Sequence, residues 1–241
     1  MKKIFPYVWV GGLLAIIISC TSQQLNQLGN VINTPPTEPK LTNEEVIQGL
    51  REALSVGTNK STSLASAMDG FYKNPKIFIP FPPDAIKVKE KVEQLGFKDR
   101  VDKFVITLNR GAEEAAKEAG HILLNTIKNM SIGDGFAILK GGDFAATEYL
   151  QEKTTGQLKT AFQAKVKDAL SKVELTKHWN PVITTYNKVP GVEKQDPDLE
   201  SYVTDRAITG MFVMIQDEEQ KIRKDPVARV SDILKKVFGS Q

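Results

Sequence analysis

The chain has 241 residues, of which 41% are hydrophobic and 25% are charged, a composition that suits a globular domain with a sizeable core. Lys2 and Lys3 are the only charges before Cys20, so 32 basic residues minus these two leave 30 against 29 acidic ones. This near-neutral balance argues against a nucleic-acid-binding surface and against strong attraction to anionic lipid.

Residues 1–19 are predicted to be a signal peptide. Lys2 and Lys3 give a basic start, and the apolar stretch over residues 8–18 is shorter than the roughly 20 apolar residues of a membrane-spanning helix. Ile17, Ile18 and Ser19 then precede Cys20. This order resembles the bacterial lipobox, in which an aliphatic residue, a tolerant position and a small residue precede the modified cysteine.

Cys20 is the only cysteine, so an intrachain disulfide is excluded and another role is required. The lipobox resemblance implies cleavage before Cys20 and a lipid anchor on its sulfur, which makes a membrane the first expected partner. A plain secretory signal with a chance cysteine, or an uncleaved anchor, is the alternative. Thr21 stands where an aspartate would imply retention in the inner membrane, so we expect the outer membrane, with the domain facing the periplasm.

Residues 20–40 are predicted to be a flexible tether. The segment is polar and contains Pro35, Pro36 and Pro39, without a sustained apolar period. A flexible chain of this length has a root-mean-square reach of roughly 25 Å. Residues 41–241 follow as one predicted domain.

Helical periodicity dominates this domain, so we predict an all-α, single-domain, irregular bundle of about eight to ten helices without a substantial β-sheet. Thr42 and Glu45 form a capping box at the first helix, which Gly57 is expected to end. A second helix is predicted at 61–72, and the prolines of 74–83 predict an extended connector. The remaining predictions are helices at 83–94, 98–130, 131–139, 143–152 (with Asp143 as N-cap), 155–173, 175–186 and 199–224, a loop at 190–197, and a helix from Pro226.

Seven phrases of the sequence stand out when taken in order. They are GLREAL at 49–54, DGFYKN at 69–74, LNRGAEEA at 108–115, ILKGGDFAATEYL at 138–150, YVTDRAITGMF at 202–212, EEQKIRKDPVAR at 218–229 and LKKVFG at 234–239. Together they resemble bacterial envelope proteins of domain-of-unknown-function family 4197. The resemblance covers residues 41–239 and implies an all-helical lipoprotein or periplasmic domain with no assigned activity. It brings no catalytic residue.

The inventory of metal ligands and nucleophiles is poor. Glu118 and His121 share a helical face, but a di-iron bundle needs a second such pair, and the only other histidine is His178. We therefore predict no metal site, no cofactor and no catalytic residue of a recognisable motif. The glycines before Asp143 are interpreted as a tight turn between helices rather than an anion-binding nest, because no phosphate-loop pattern accompanies them. Catalysis by paired carboxylates needs no linear motif and stays an alternative.

A set of polar residues lies within the family-like phrases or beside the apolar seam of the longest predicted helix. One interpretation gathers them into a pocket in which an arginine binds a carboxylate or phosphate. The favoured interpretation makes them an internal network of ion pairs and hydrogen bonds, such as Glu219 with Arg223 at i, i+4. The candidates are Asn109, Arg110, Glu113, Tyr202, Asp205 and Arg229.

The connector at 74–83 carries a run of apolar residues that includes Phe78 and Phe81. If exposed, this candidate apolar surface marks a partner or ligand site. Burial against the helices is the favoured alternative, because prolines commonly hold such covers in place.

Taken together, these patterns predict a membrane-anchored envelope lipoprotein with a non-enzymatic helical module. Its expected partner is another envelope protein or a small-molecule ligand, and not nucleic acid. The alternatives are a carrier of a hydrophobic small molecule, using a cavity between helices, and an enzyme that uses carboxylates in a cleft between helices.

Overall fold

A computed structural model describes residues 42–172 and 198–225, together with 179, 183, 184, 187, 188, 190, 191, 194 and 235. Within these residues there are six α-helices and a short 3-10 helix, and no strand, which confirms the all-α prediction. Of the described helices, none combines the length and apolarity needed to cross a bilayer. The helices are α1 (Asn43–Ser66), the 3-10 helix (Pro83–Ala85), α2 (Ile86–Gln94), α3 (Lys98–Lys128), α4 (Ile132–Lys140), α5 (Ala145–Ser171) and α6 (Leu199–Lys224).

Several predictions fall outside the described residues. These are the signal peptide, Cys20, the tether and the helix expected from Pro226. The predicted helix at 175–186 and the loop at 190–197 are described at only a few positions each.

Four long helices form the core of the bundle. Helix α3 packs against α1 and α5, and α6 packs against the same two helices and also touches α3. Close approach is possible because the middle of α3 carries small residues: a Cβ added to Gly111 would lie 3.3 Å from the Cβ of Ala169 on α5. Four alanines of α3 are fully buried, namely Ala112, Ala115, Ala116 and Ala119.

Helix α1 begins as predicted but ends elsewhere. Thr42 and Glu45 form the predicted capping box, with Glu45 N donating to Thr42 Oγ1 over 3.2 Å. The prediction that Gly57 ends the helix is wrong, as is the separate helix at 61–72, because α1 continues to Ser66. Gly57 is instead buried where α1 meets α6, and a Cβ there would lie 3.5 Å from the Cβ of Glu218.

Helix α5 is a single helix where two were predicted, and Asp143 is not its N-cap. Asp143 forms an ion pair with Lys224 over 2.6 Å. The first turn of α5 is capped by Glu219 of α6, whose carboxylate accepts hydrogen bonds from Ala146 N at 3.0 Å and Thr147 N at 2.8 Å. The helix continues through the expected break, where Thr154 is fully buried and its hydroxyl donates to Leu150 O.

The prolines of the connector do prevent a helix. Residues 71–82, which we call the strap, follow α1 as turns and then as extended chain until the 3-10 helix begins at Pro83. Phe71 of the strap packs so tightly against α6 that a Cβ on Gly210 would lie 2.8 Å from its ring. The strap therefore lies between α3 and α6 as part of the core.

Candidate functional site

Asn109 of α3 holds the extended part of the strap. Its Oδ1 accepts a hydrogen bond from Ile79 N at 2.9 Å, and its Nδ2 donates to Ile79 O at 2.8 Å. Both residues are fully buried, so a backbone donor and acceptor that need partners obtain them from one side chain. The amide thus serves as a neighbouring β-strand would.

Glu113, one turn further along α3, holds the turn at the start of the strap. Its side chain is 5% exposed, and Oε1 accepts from Phe71 N at 3.1 Å and from Tyr72 N at 3.3 Å. Oε2 accepts from the Nη1 of Arg110 at 2.5 Å. A buried carboxylate is tolerated only when it is paired in this way, so the backbone of the strap depends on this charge pair.

Arg110 also reaches Asp69, which lies in the turn that follows α1. Its Nη2 donates to Asp69 Oδ1 over 2.6 Å, and Lys73 binds the other oxygen over 2.8 Å. The pKa of Asp69 is lowered below its ordinary value. The largest cause is the hydrogen bond from Lys73, and the second is the hydrogen bond from Arg110. Asp69 has a φ of 67°, which aspartate tolerates better than most residues, so the ion pairs stabilise an uncommon backbone conformation.

Tyr202 joins this network from α6, whereas Asp205 does not. The hydroxyl of Tyr202 donates to Pro80 O at 3.2 Å, and burial raises the pKa of this phenol. Asp205 is exposed and pairs with Lys159 of α5 over 3.1 Å. Arg229 lies outside the described residues. Four of the six polar candidates therefore lie at the strap, namely Asn109, Arg110, Glu113 and Tyr202. Their side chains form hydrogen bonds or ion pairs with other residues of the protein.

The apolar candidates separate into a core residue and a surface residue. Phe81 is 5% exposed, and its ring packs 5.0 Å from that of Phe104 and 5.5 Å from that of Trp179. Phe78 is half-buried, with its ring centre 6.0 Å from that of Tyr72. Of the two candidates, only Phe78 presents part of its ring to solvent.

A groove lies between the strap, α2 and the first turns of α3. We call it the strap groove; it has a volume of about 500 Å³. Lys89 of α2 and Asp102 of α3 belong to it, although no motif marked them in the sequence, because they meet only through tertiary packing. The lining residues are Tyr72, Phe78, Pro80, Phe81, Lys89, Val101, Asp102 and Val105.

Two further buried acids lie next to each other on α6. Glu219 forms the predicted i, i+4 pair with Arg223 over 2.9 Å, and Arg223 also donates to Ile138 O at the end of α4. Burial acts to raise the pKa of Glu218, but hydrogen bonds from Lys221 and Lys60 outweigh it, so that this pKa is lowered. Glu218 is therefore held as a carboxylate at the α1–α6 contact.

The Glu118 and His121 pair shows no metal-like arrangement. Glu118 forms an ion pair with Lys165 of α5 over 3.0 Å, and His121 is exposed. Among the residues that the structure describes, no three histidine, cysteine or acidic side chains come together as a metal site.

Comparison with known proteins gives one match. A family model described as protein of unknown function (DUF4197) matches residues 40–239. No curated protein and no solved structure matches the chain. Because the match covers most of the sequence, the chain belongs to the DUF4197 family.

Proposed function

We propose that this protein is a lipoprotein of the bacterial envelope, held to a membrane by lipid on Cys20. The basis is the order of basic start, short apolar stretch and Ile17, Ile18 and Ser19 before the only cysteine. Thr21 favours the outer membrane, with the domain on the periplasmic side. Several acyl chains give a stable anchor, since each buried methylene contributes about 0.8 kcal/mol.

We further propose that the helical domain is a binding module rather than an enzyme, with the strap groove as its binding surface. The proposal rests on the contacts that the polar candidates make within the protein. Asn109, Glu113 and Tyr202 bind the backbone of the strap, and Arg110 neutralises Glu113. These contacts fix the exposed face of Phe78 before any partner arrives, which reduces the entropy lost on binding.

A crosslinking experiment in intact cells tests this function. The full chain is crosslinked and captured, and Phe78→Ala is compared with Met68→Ala, which removes an exposed apolar side chain outside the groove. We expect a specific crosslinked partner or ligand that disappears with Phe78→Ala and stays with Met68→Ala. Equal capture by both variants, or no specific product from the unchanged protein, would contradict the binding function.

One alternative has an observation in its favour. A volume of about 500 Å³ is within the range of small-molecule sites, so a carrier of a hydrophobic small molecule is the second candidate function. The two candidates differ in what they bind: a protein crosslink or an anionic ligand at the groove supports the binding module, and a co-purifying neutral apolar molecule supports the carrier.

A further inference from the structure

We propose that the strap groove binds a small amphipathic carboxylate, with an apolar ring or chain against the aromatic wall and the carboxylate on Lys89. This inference rests on the proposed binding function and specifies the ligand class. The groove has a suitable size, because about 500 Å³ falls inside the span of roughly 300–1,000 Å³ that small-molecule sites occupy.

The apolar part of the site is built from two elements. The strap contributes Tyr72, Phe78 and Pro80, and α3 contributes Val101 and Val105. Aromatic and branched aliphatic walls with a few polar groups are typical of sites for small ligands. The strap wall is pre-formed, since the backbone behind it is bonded to α3 and α6.

Of the two charged residues in the groove, Asp102 has a closer ion-pair partner than Lys89 has. This difference predicts a ligand with a negative charge. Asp102 forms a close ion pair with Lys98 over 2.5 Å. Lys89, with a side chain 34% exposed, reaches its partner Glu93 only at 3.9 Å, beyond hydrogen-bonding distance. A ligand carboxylate can approach the Lys89 ammonium more closely than Glu93 does, so the groove favours an anionic head.

Photolabelling of the full chain in isolated membranes tests the proposal. Para-benzoylbenzoate is compared with the cationic para-benzoylbenzylamine and with neutral benzophenone, and the labelled peptides are mapped by mass spectrometry. We expect the carboxylate to label residues 72–81 or 101–105 at least about fivefold more than the cation does, in line with the strength of one partly exposed ion pair. Equal labelling by the three probes, or labelling elsewhere only, would overturn the proposal.

Substitutions in α2 distinguish a specific role of Lys89 from a general loss of structure. Lys89→Glu and the milder Lys89→Gln should each lower carboxylate labelling, the former by about fivefold or more. Lys87→Glu, an equal charge change at an exposed residue of α2 outside the groove, should leave it unchanged. Unchanged labelling in both Lys89 variants would refute the role of this lysine.

Two further outcomes identify other sources of failure. Loss of the carboxylate label on addition of anionic lipid vesicles, but not of neutral ones, would assign the groove to a membrane surface and overturn the inference. A crosslinked protein partner that depends on Phe78, found without any carboxylate label, would leave the binding function intact and defeat only the ligand assignment.

Discussion

Glu219 stabilises the backbone of a helix other than its own. It is 6% exposed, caps the first turn of α5 and pairs with Arg223. Glu219→Ala should lower the free energy of unfolding by about 3 kcal/mol, because two buried backbone N–H groups lose their acceptor and the half-buried Arg223 loses its ion pair with this carboxylate. Denaturant unfolding measures the loss.

The control for this variant is Glu152→Ala, which removes an exposed glutamate that pairs with the adjacent Lys153. It should change the free energy of unfolding by less than about 0.5 kcal/mol. If both variants lose the same stability, Glu219 is not the cap on which α5 depends.

The lowered pKa of Asp69 predicts that the stability of the protein depends on pH. The pKa of the Asp69 carboxyl in the folded protein is lowered below 3.8. The charge of Asp69 therefore contributes its full stabilisation at pH values above the pKa of the unfolded state. This stabilisation is lost as the pH falls through the pKa of the folded state. Asp69→Asn keeps a residue that tolerates positive φ and removes the charge. The variant should be less stable at neutral pH, and the difference should shrink below about pH 4. Urea unfolding over a pH series checks this; a difference independent of pH would exclude the charge as its cause.

At the scale of elements, the strap is held by side chains of its neighbours. Asn109→Ala leaves the buried N–H and C=O groups of Ile79 without their partners, which should cost about 3 kcal/mol. It should also open the strap to limited proteolysis within residues 74–82. Asn125→Ala, on the exposed face of the same helix, is the control and should show neither effect. A strap that resists protease in Asn109→Ala would show that other contacts suffice.

Two helical glycines give opposite predictions for the same substitution. At Gly57 an added Cβ meets its nearest neighbour at an ordinary 3.5 Å, so Gly57→Ala should stabilise the protein by about 0.5–1 kcal/mol through helix propensity. At Gly210 the Cβ would lie 2.8 Å from the Phe71 ring and 3.1 Å from Ile77, so Gly210→Ala should destabilise it by about 1–3 kcal/mol. Thermal unfolding compares them, and effects of the same sign would contradict this packing.

For the whole molecule, local patterns predicted the helices well and their connections less well. The capping box at Thr42 and the bounds of α6 follow from short-range rules and were predicted. The rules failed at Gly57 and Asp143, where contacts with α6 decide whether a helix continues and which residue caps it. Such partners lie far apart in sequence and leave no periodic signal.

The candidate site shows the same division. Asn109, Arg110 and Glu113 were selected from sequence because they stand beside an apolar seam, and Tyr202 because it lies in a family-like phrase. The strap backbone that Asn109, Glu113 and Tyr202 bind, and the Glu113 carboxylate that Arg110 pairs with, became visible only in the structure. Lys89 and Asp102 were missed, since they are ordinary surface charges until packing places them at one groove. Asp205 was selected, but it lies apart from the network.

Fatty-acid labelling in cells tests the proposed lipid anchor on Cys20. Cells producing the full chain or Cys20→Ala are fed a labelled fatty acid, and the protein is followed through membrane fractionation. We expect label and membrane retention in the unchanged protein, and no label with unprocessed or released protein in Cys20→Ala. Equal labelling and membrane retention in the two proteins would contradict the account of a lipoprotein anchored at Cys20.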